Sequence, residues 1–156
     1  MSKQGVHPSG PVDTRASAHS RLRTLPYADT RISGGFWARH QAVNRTVSLR
    51  HGYQMLEKAG NFHNLRLAAG LATGAYSSDY PFLDSDLYKW LEALAYELAN
   101  GPDSDLERMA GETIDLLALA QHGDGYLNSY YTVVKPHERW MDLRRGHELY
   151  CAGHLF

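Results

Sequence analysis

The stretch that most constrains this chain is Asp84–Gln121, DSDLYKWLEALAYELANGPDSDLERMAGETIDLLALAQ. Leu87, Trp90, Leu91, Leu94, Ala95 and Leu98 recur at helical intervals and make one apolar stripe. Asp84 or Ser85 suits the N-cap of that helix, and Asn100-Gly101 followed by Pro102 suits its end. Ser104 with Glu107 has the spacing of a capping box and opens a second helix. Leu106, Met109, Ala110, Ile114, Leu117 and Ala120 line its apolar face. Two antiparallel helices joined by so short a loop form a helical hairpin, which needs neighbours to cover its outer faces. The expected fold is therefore all-α.

The flanking segments fit around that hairpin. Residues 1–23 are rich in Ser, Gly, Pro, His and Arg, lack apolar periodicity and are expected to form a mobile tail. Residues 24–156 then form the folded part. A short extended stretch at Arg31-Ile32 is expected to close in a Ser33-Gly34-Gly35 turn. Phe36 to Gly60 carries a loose helical pattern through Phe36, Val43, Val47 and Leu56, with β-branched residues at its middle that disfavour one unbroken helix. Asn64 to Ala72 is a shorter helical segment ended by Gly74. His122 to Leu127 reads as a turn, Leu127 to Val134 as a short strand or extended loop. A last helix is expected to begin near Arg144 and to have no terminator before Phe156.

Composition excludes several classes. Among 156 residues the net charge is −1, with no basic excess or stripe to mark a nucleic-acid surface. No apolar run is long enough to span a membrane, and the first twenty residues lack the apolar core of a secretory signal. Cys151 is the single cysteine, so no intramolecular disulfide can form, which points to a reducing compartment and a cytoplasmic location.

Chemistry concentrates at the end of the chain, RRGHELYCAGHLF. Read as one helix, it places His147, Cys151 and His154 on one face. Thiolate and imidazole both suit zinc, so a small metal- or ligand-binding module is one alternative, although a structural zinc site usually takes four protein ligands. A scaffold that docks onto a partner is another. Asp84 and Asp86 are paired carboxylates, the kind of pair that glycoside hydrolysis generally uses, yet they also sit where a helix start favours acids. Trp37, Trp90 and Trp140 would suit sugar stacking, with Trp90 placed by its stripe in the core. Gly123-Asp124-Gly125 is a turn rather than a phosphate loop, because no Gly-Lys-Ser/Thr follows.

Four stretches in one order carry a resemblance: GGFW at Gly34–Trp37, FLDSDLYKWLEALAYELA at Phe82–Ala99, IDLLALAQHGDGYLNSYY at Ile114–Tyr131, and HELYCAGH at His147–His154. They resemble the N-terminal part of glycoside hydrolase family 127, the β-L-arabinofuranosidase-like family, from roughly Thr30 to Phe156. The resemblance implies the first helical hairpins of an (α/α)6 barrel, incomplete in this chain. It implies a retaining glycosidase acting on β-L-arabinofuranosides or related glycosides. In that family the proposed nucleophile is a zinc-bound cysteine in a cysteine-rich cluster far downstream, with a glutamate as acid/base and another among the zinc ligands. No motif of this chain matches that cluster, so neither a catalytic residue nor a zinc ligand is expected here, and the chain alone is expected to be inactive. What the resemblance carries over is His147, matching a histidine that lines the sugar pocket, together with Asp84 and Asp86 of the family's DSD stretch. The implied partner is a carbohydrate, and exposed apolar helix faces favour self-association.

Overall fold

The computed structural model describes residues 17–22 and 25–156; residues 1–16 and 23, most of the expected tail, lie outside the described residues. Every regular element among the described residues is helical. After a 3-10 turn at Tyr27–Asp29, α1 runs Gly35–Val43 and α2 Leu49–Ala59. The two are joined without a break by a π-helical turn at Asn44–Ser48. The widened turn falls on the Thr46-Val47 pair, where branched side chains crowd a regular α-helix. Gly60 ends α2 in the left-handed conformation, with φ +90°.

α3 begins at once, Asn61–Ala68, three residues before the sequence suggests, and ends four residues before. The left-handed Gly70, not Gly74, follows its last turn, and the Gly70 N–H bonds the Leu67 carbonyl. α4, Asp84–Asn100, and α5, Ser104–Ala120, form the expected hairpin. Their caps differ from expectation. Leu83 is the N-cap of α4 and supplies no side-chain bond, so neither Asp84 nor Ser85 caps it. Asp103, one residue before Ser104, caps α5 by accepting the Leu106 N–H at 3.2 Å. Leu127 to Val134 is not a strand. Asn128 caps a short helix α6, Ser129–Val133, by accepting the Tyr131 N–H at 3.0 Å.

α4 is the hub and packs against α2, α3, α5 and the helix Glu148–Leu155. Leu87 and Leu94 of α4 are fully buried, joined by Phe62 and Leu65 of α3 and by Leu106 and Leu117 of α5. Trp90 belongs to this core: its indole N–H donates to the Leu49 carbonyl at 2.9 Å, and Gly52 leaves the room its ring needs. Arg45 fastens the π turn to the far end of α4 through Glu97 at 3.0 Å and the carbonyls of Gly101 and Pro102. Two residues of the expected stripes face outward, Ala95 on α4 and Ile114 on α5, and Thr113 is buried in Ile114's stead, its hydroxyl satisfied by the Met109 carbonyl.

Candidate functional site

The closing segment is two helices. α7, Leu143–Gly146, is a single turn capped by Asp142, and α8 covers Glu148–Leu155. His147 stands between them in the left-handed conformation, with φ +53° and ψ +25°. The one-helix expectation is corrected here: helical spacing holds from His147 onward, since the Cys151 N–H bonds the His147 carbonyl at 2.9 Å, but the chain turns a corner at His147 itself.

That corner sets the imidazole at a half-buried position, edge-on to Phe82 with ring centres 5.1 Å apart and 6.0 Å from Tyr150. Tyr150 meets His154 at 4.6 Å, and the Lys89 ammonium lies over the Tyr150 ring at 5.2 Å. Asp86, on the exposed side of α4, pairs with Lys89 at 3.4 Å. Phe82, Asp86, Lys89, His147, Tyr150 and His154 thus form a mixed aromatic and polar surface where the start of α4 meets α8. Aromatic faces with hydroxyl-partnering groups beside them suit a polyhydroxy ligand.

Asp84 lies inside the wall. It is buried, and its carboxylate accepts the Ser129 N–H at 2.6 Å and the Ser129 hydroxyl. Ser129 is bonded in turn to the Tyr76 hydroxyl at 2.8 Å. Burial drives the Asp84 carboxyl above its ordinary range, against the two Ser129 bonds that hold it down. Cys151 faces the same interior. Burial first, and the Asp84 charge second, push its thiol up to about 12. A protonated thiol in the core, a histidine held on Phe82 and another on Tyr150 do not make a metal site, and no group of three His, Cys, Asp or Glu among the described residues is arranged to hold one. The zinc that the resemblance implies does not fit these residues.

Two surface grooves lie apart from this wall. One, of about 380 Å³, is lined by Arg31, Gln41, Arg45, Glu97 and Asn100; the other, of about 540 Å³, by Tyr53, Phe62, Arg66 and Glu112. Neither includes His147. The sequence does not announce the Asp84–Ser129–Tyr76 network or the buried Glu148, since their partners are distant in the chain. The cap-forming Asn128-Ser129 pair was the one available signal.

The described residues place helices around a shared core, with an aromatic and polar wall where helices begin, as in one portion of a helical-barrel domain. The sequence profile of the β-L-arabinofuranosidase GH127 catalytic domain matches residues 29–156, and the chain belongs to glycoside hydrolase family 127. It is 40% identical over 95 residues to a non-reducing end β-L-arabinofuranosidase of Bifidobacterium longum subsp. longum, a match covering 58% of this chain and 14% of that protein. It superposes on the crystal structure of a GH127 β-L-arabinofuranosidase from Geobacillus stearothermophilus T6 with a TM-score of 0.76 and 42% identity, over 80% of this chain and 20% of that one. A second GH127 β-arabinofuranosidase gives 0.74 and 28%, over 82% of this chain and 22% of that one. The helices described above are a partial portion of the family's (α/α)6-type barrel, and the chain spans less than a quarter of the length of these relatives.

Proposed function

We propose that this chain is the opening part of a retaining glycosidase barrel that hydrolyses β-L-arabinofuranosides or related glycosides, with residues 24–156 as its helical portion. The observation that carries this is the corner at His147. The residue matched to the family's pocket histidine is half-buried with its imidazole on Phe82 and Tyr150, and the Tyr150 ring in turn carries the Lys89 ammonium that pairs with Asp86. His147 donates or accepts a hydrogen bond from a sugar hydroxyl, and Asp86 offers a second acceptor at the rim. Asp84 acts indirectly, by holding Ser129 and thereby α6 against the start of α4.

The chain supplies wall and no nucleophile. Its only cysteine is a buried thiol with a raised pKa, unfit to attack an anomeric carbon. The nucleophilic cysteine, the acid/base glutamate and the zinc of the family belong to motifs this sequence does not contain. Nothing in the chain calls for an oxidising environment, and a cytoplasmic location suits its lone buried thiol. No helix among the described residues is long and apolar enough to cross a membrane.

The test is an assay of the 156-residue chain with an aryl β-L-arabinofuranoside, alongside an NMR titration with L-arabinose. The expected outcome is no hydrolysis, weak binding that shifts the His147 and Tyr150 resonances, and loss of those shifts in His147→Ala. Hydrolysis by the isolated chain that His147→Ala abolishes would overturn the assignment of His147 to binding alone.

A further inference from the structure

We infer that Glu148 is the positioning residue for His147. Glu148 is the first residue of α8 and is 2% exposed. One carboxylate oxygen accepts the Tyr126 hydroxyl, and the other accepts the Trp140 backbone N–H at 2.7 Å. These groups come from two different loops, the turn after α5 and the segment leading to α7. Tyr126 is itself fixed, with the Arg139 guanidinium over its ring at 4.1 Å and the Trp140 indole edge-on at 5.2 Å.

The backbone shows what this carboxylate restrains. Among the described residues, Trp140, at φ +64°, and His147, at φ +53°, are the two non-glycine residues in the left-handed region. A side chain there is strained, so the surroundings must impose the conformation. Glu148 bonds the first of these residues directly and is joined by one peptide to the second. On the other side of His147, Gly146 lies so close to the Tyr131 hydroxyl that a Cβ would collide with it. His147 is therefore gripped from both sides, and its imidazole is delivered to Phe82 in one orientation. An acid at a helix start is favoured by the dipole alone, but an exposed acid would serve that purpose. Burial with both oxygens engaged by separate loops assigns this one to fixing the corner.

Its value for a ligand rests on the sugar-binding reading of His147: a ring already ordered loses less freedom on binding. The positional part stands apart from that reading and is measured without ligand. Imidazole-to-Phe82 cross-peaks are recorded by NOE spectroscopy on the 156-residue chain, with Tyr53–Trp90 cross-peaks, from rings 5.4 Å apart, as the internal control of folding. Glu148→Ala is expected to abolish the His147–Phe82 cross-peaks and keep the control. Glu148→Gln is expected to keep both, since its amide oxygen accepts from Trp140 and its NH2 donates to Tyr126. In the L-arabinose titration, Glu148→Ala weakens binding by about fivefold, the scale of one side chain that must be ordered on binding. Unchanged His147–Phe82 cross-peaks in Glu148→Ala overturn the proposal. So does their loss in Glu148→Gln, because charge and not the pair of hydrogen bonds would then set the ring. If Glu148→Ala also loses the control, Tyr126→Phe decides: weakened cross-peaks with the control intact support the proposal, and unchanged ones overturn it. Absence of sugar binding by the unaltered chain counts against the ligand reading alone.

Discussion

Asp84 shows how a single side chain can answer to several roles and perform one. It opens α4, where a carboxylate is favoured by the dipole, yet it turns inward and holds Ser129, 45 residues away in the chain. Asp84→Ala leaves the Ser129 N–H buried without its acceptor and is expected to cost about 3 kcal/mol, read by urea denaturation. Asp84→Asn keeps an acceptor for that N–H and costs under about 1.5 kcal/mol. The pH dependence has a definite sign. Burial raises the folded-state pKa above 3.8, so the folded chain holds the Asp84 proton more tightly than the unfolded chain. That contribution is complete below the ordinary carboxylate range and is lost as pH rises through the raised value. Asp84→Asn removes it, so the variant gains stability relative to the unaltered chain as pH rises from the ordinary carboxylate range through the raised value. A constant difference across that range would show that Asp84 titrates alike in both states. The DSD spacing places this carboxylate at a helix start but says nothing of burial, because that depends on where α6 lands.

At the scale of elements, positive-φ glycines separate conformational cost from steric cost. Gly60 and Gly70 are both left-handed, at +90° and +71°. A Cβ at Gly60 would collide with the Ser77 side chain, whereas one at Gly70 meets open space. Gly70→Ala is expected to cost about 1 kcal/mol, the strain of the conformation alone. Gly60→Ala is expected to cost about 2–4 kcal/mol, adding displacement of the segment that follows α3. Equal losses in thermal denaturation would mean that Ser77 yields freely. The α4–α5 hairpin was legible because its apolar period is long and its ends carry Gly, Pro and Asp. α6 was not, because Tyr130, Tyr131, Thr132 and Val133 favour a strand locally, and it is the Asn128 cap and the Asp84–Ser129 bonds that make them helical. The corner at His147 was hidden for the opposite reason. HELYCAGH has perfect helical spacing, and only the fixation of Glu148 by two remote loops reveals the turn.

At the scale of the molecule, several large apolar side chains lie at the surface. Leu71 and Leu119, 60% and 61% exposed, rim the groove floored by Phe62 and Leu116. Glu112 and Asp115 line the same groove. Apolar rims of this kind are covered in a helical barrel by neighbouring hairpins, and in the isolated chain they favour association. Sedimentation equilibrium of the 156-residue chain is therefore expected to show concentration-dependent self-association. Leu119→Glu adds a third negative charge beside Glu112 and Asp115, and burying it against a second apolar surface is costly. Together with Leu71→Gln it is expected to weaken association by about tenfold or more, while helix content by circular dichroism stays unchanged because neither side chain is buried in the core. A chain that remains monomeric at every concentration would mean that these rims are small enough to stay wet. Retained association in the double variant would place the contact elsewhere, with the exposed Phe36, Trp37, Val43 and Val47 side chains of α1 and the π turn as the surface to alter next.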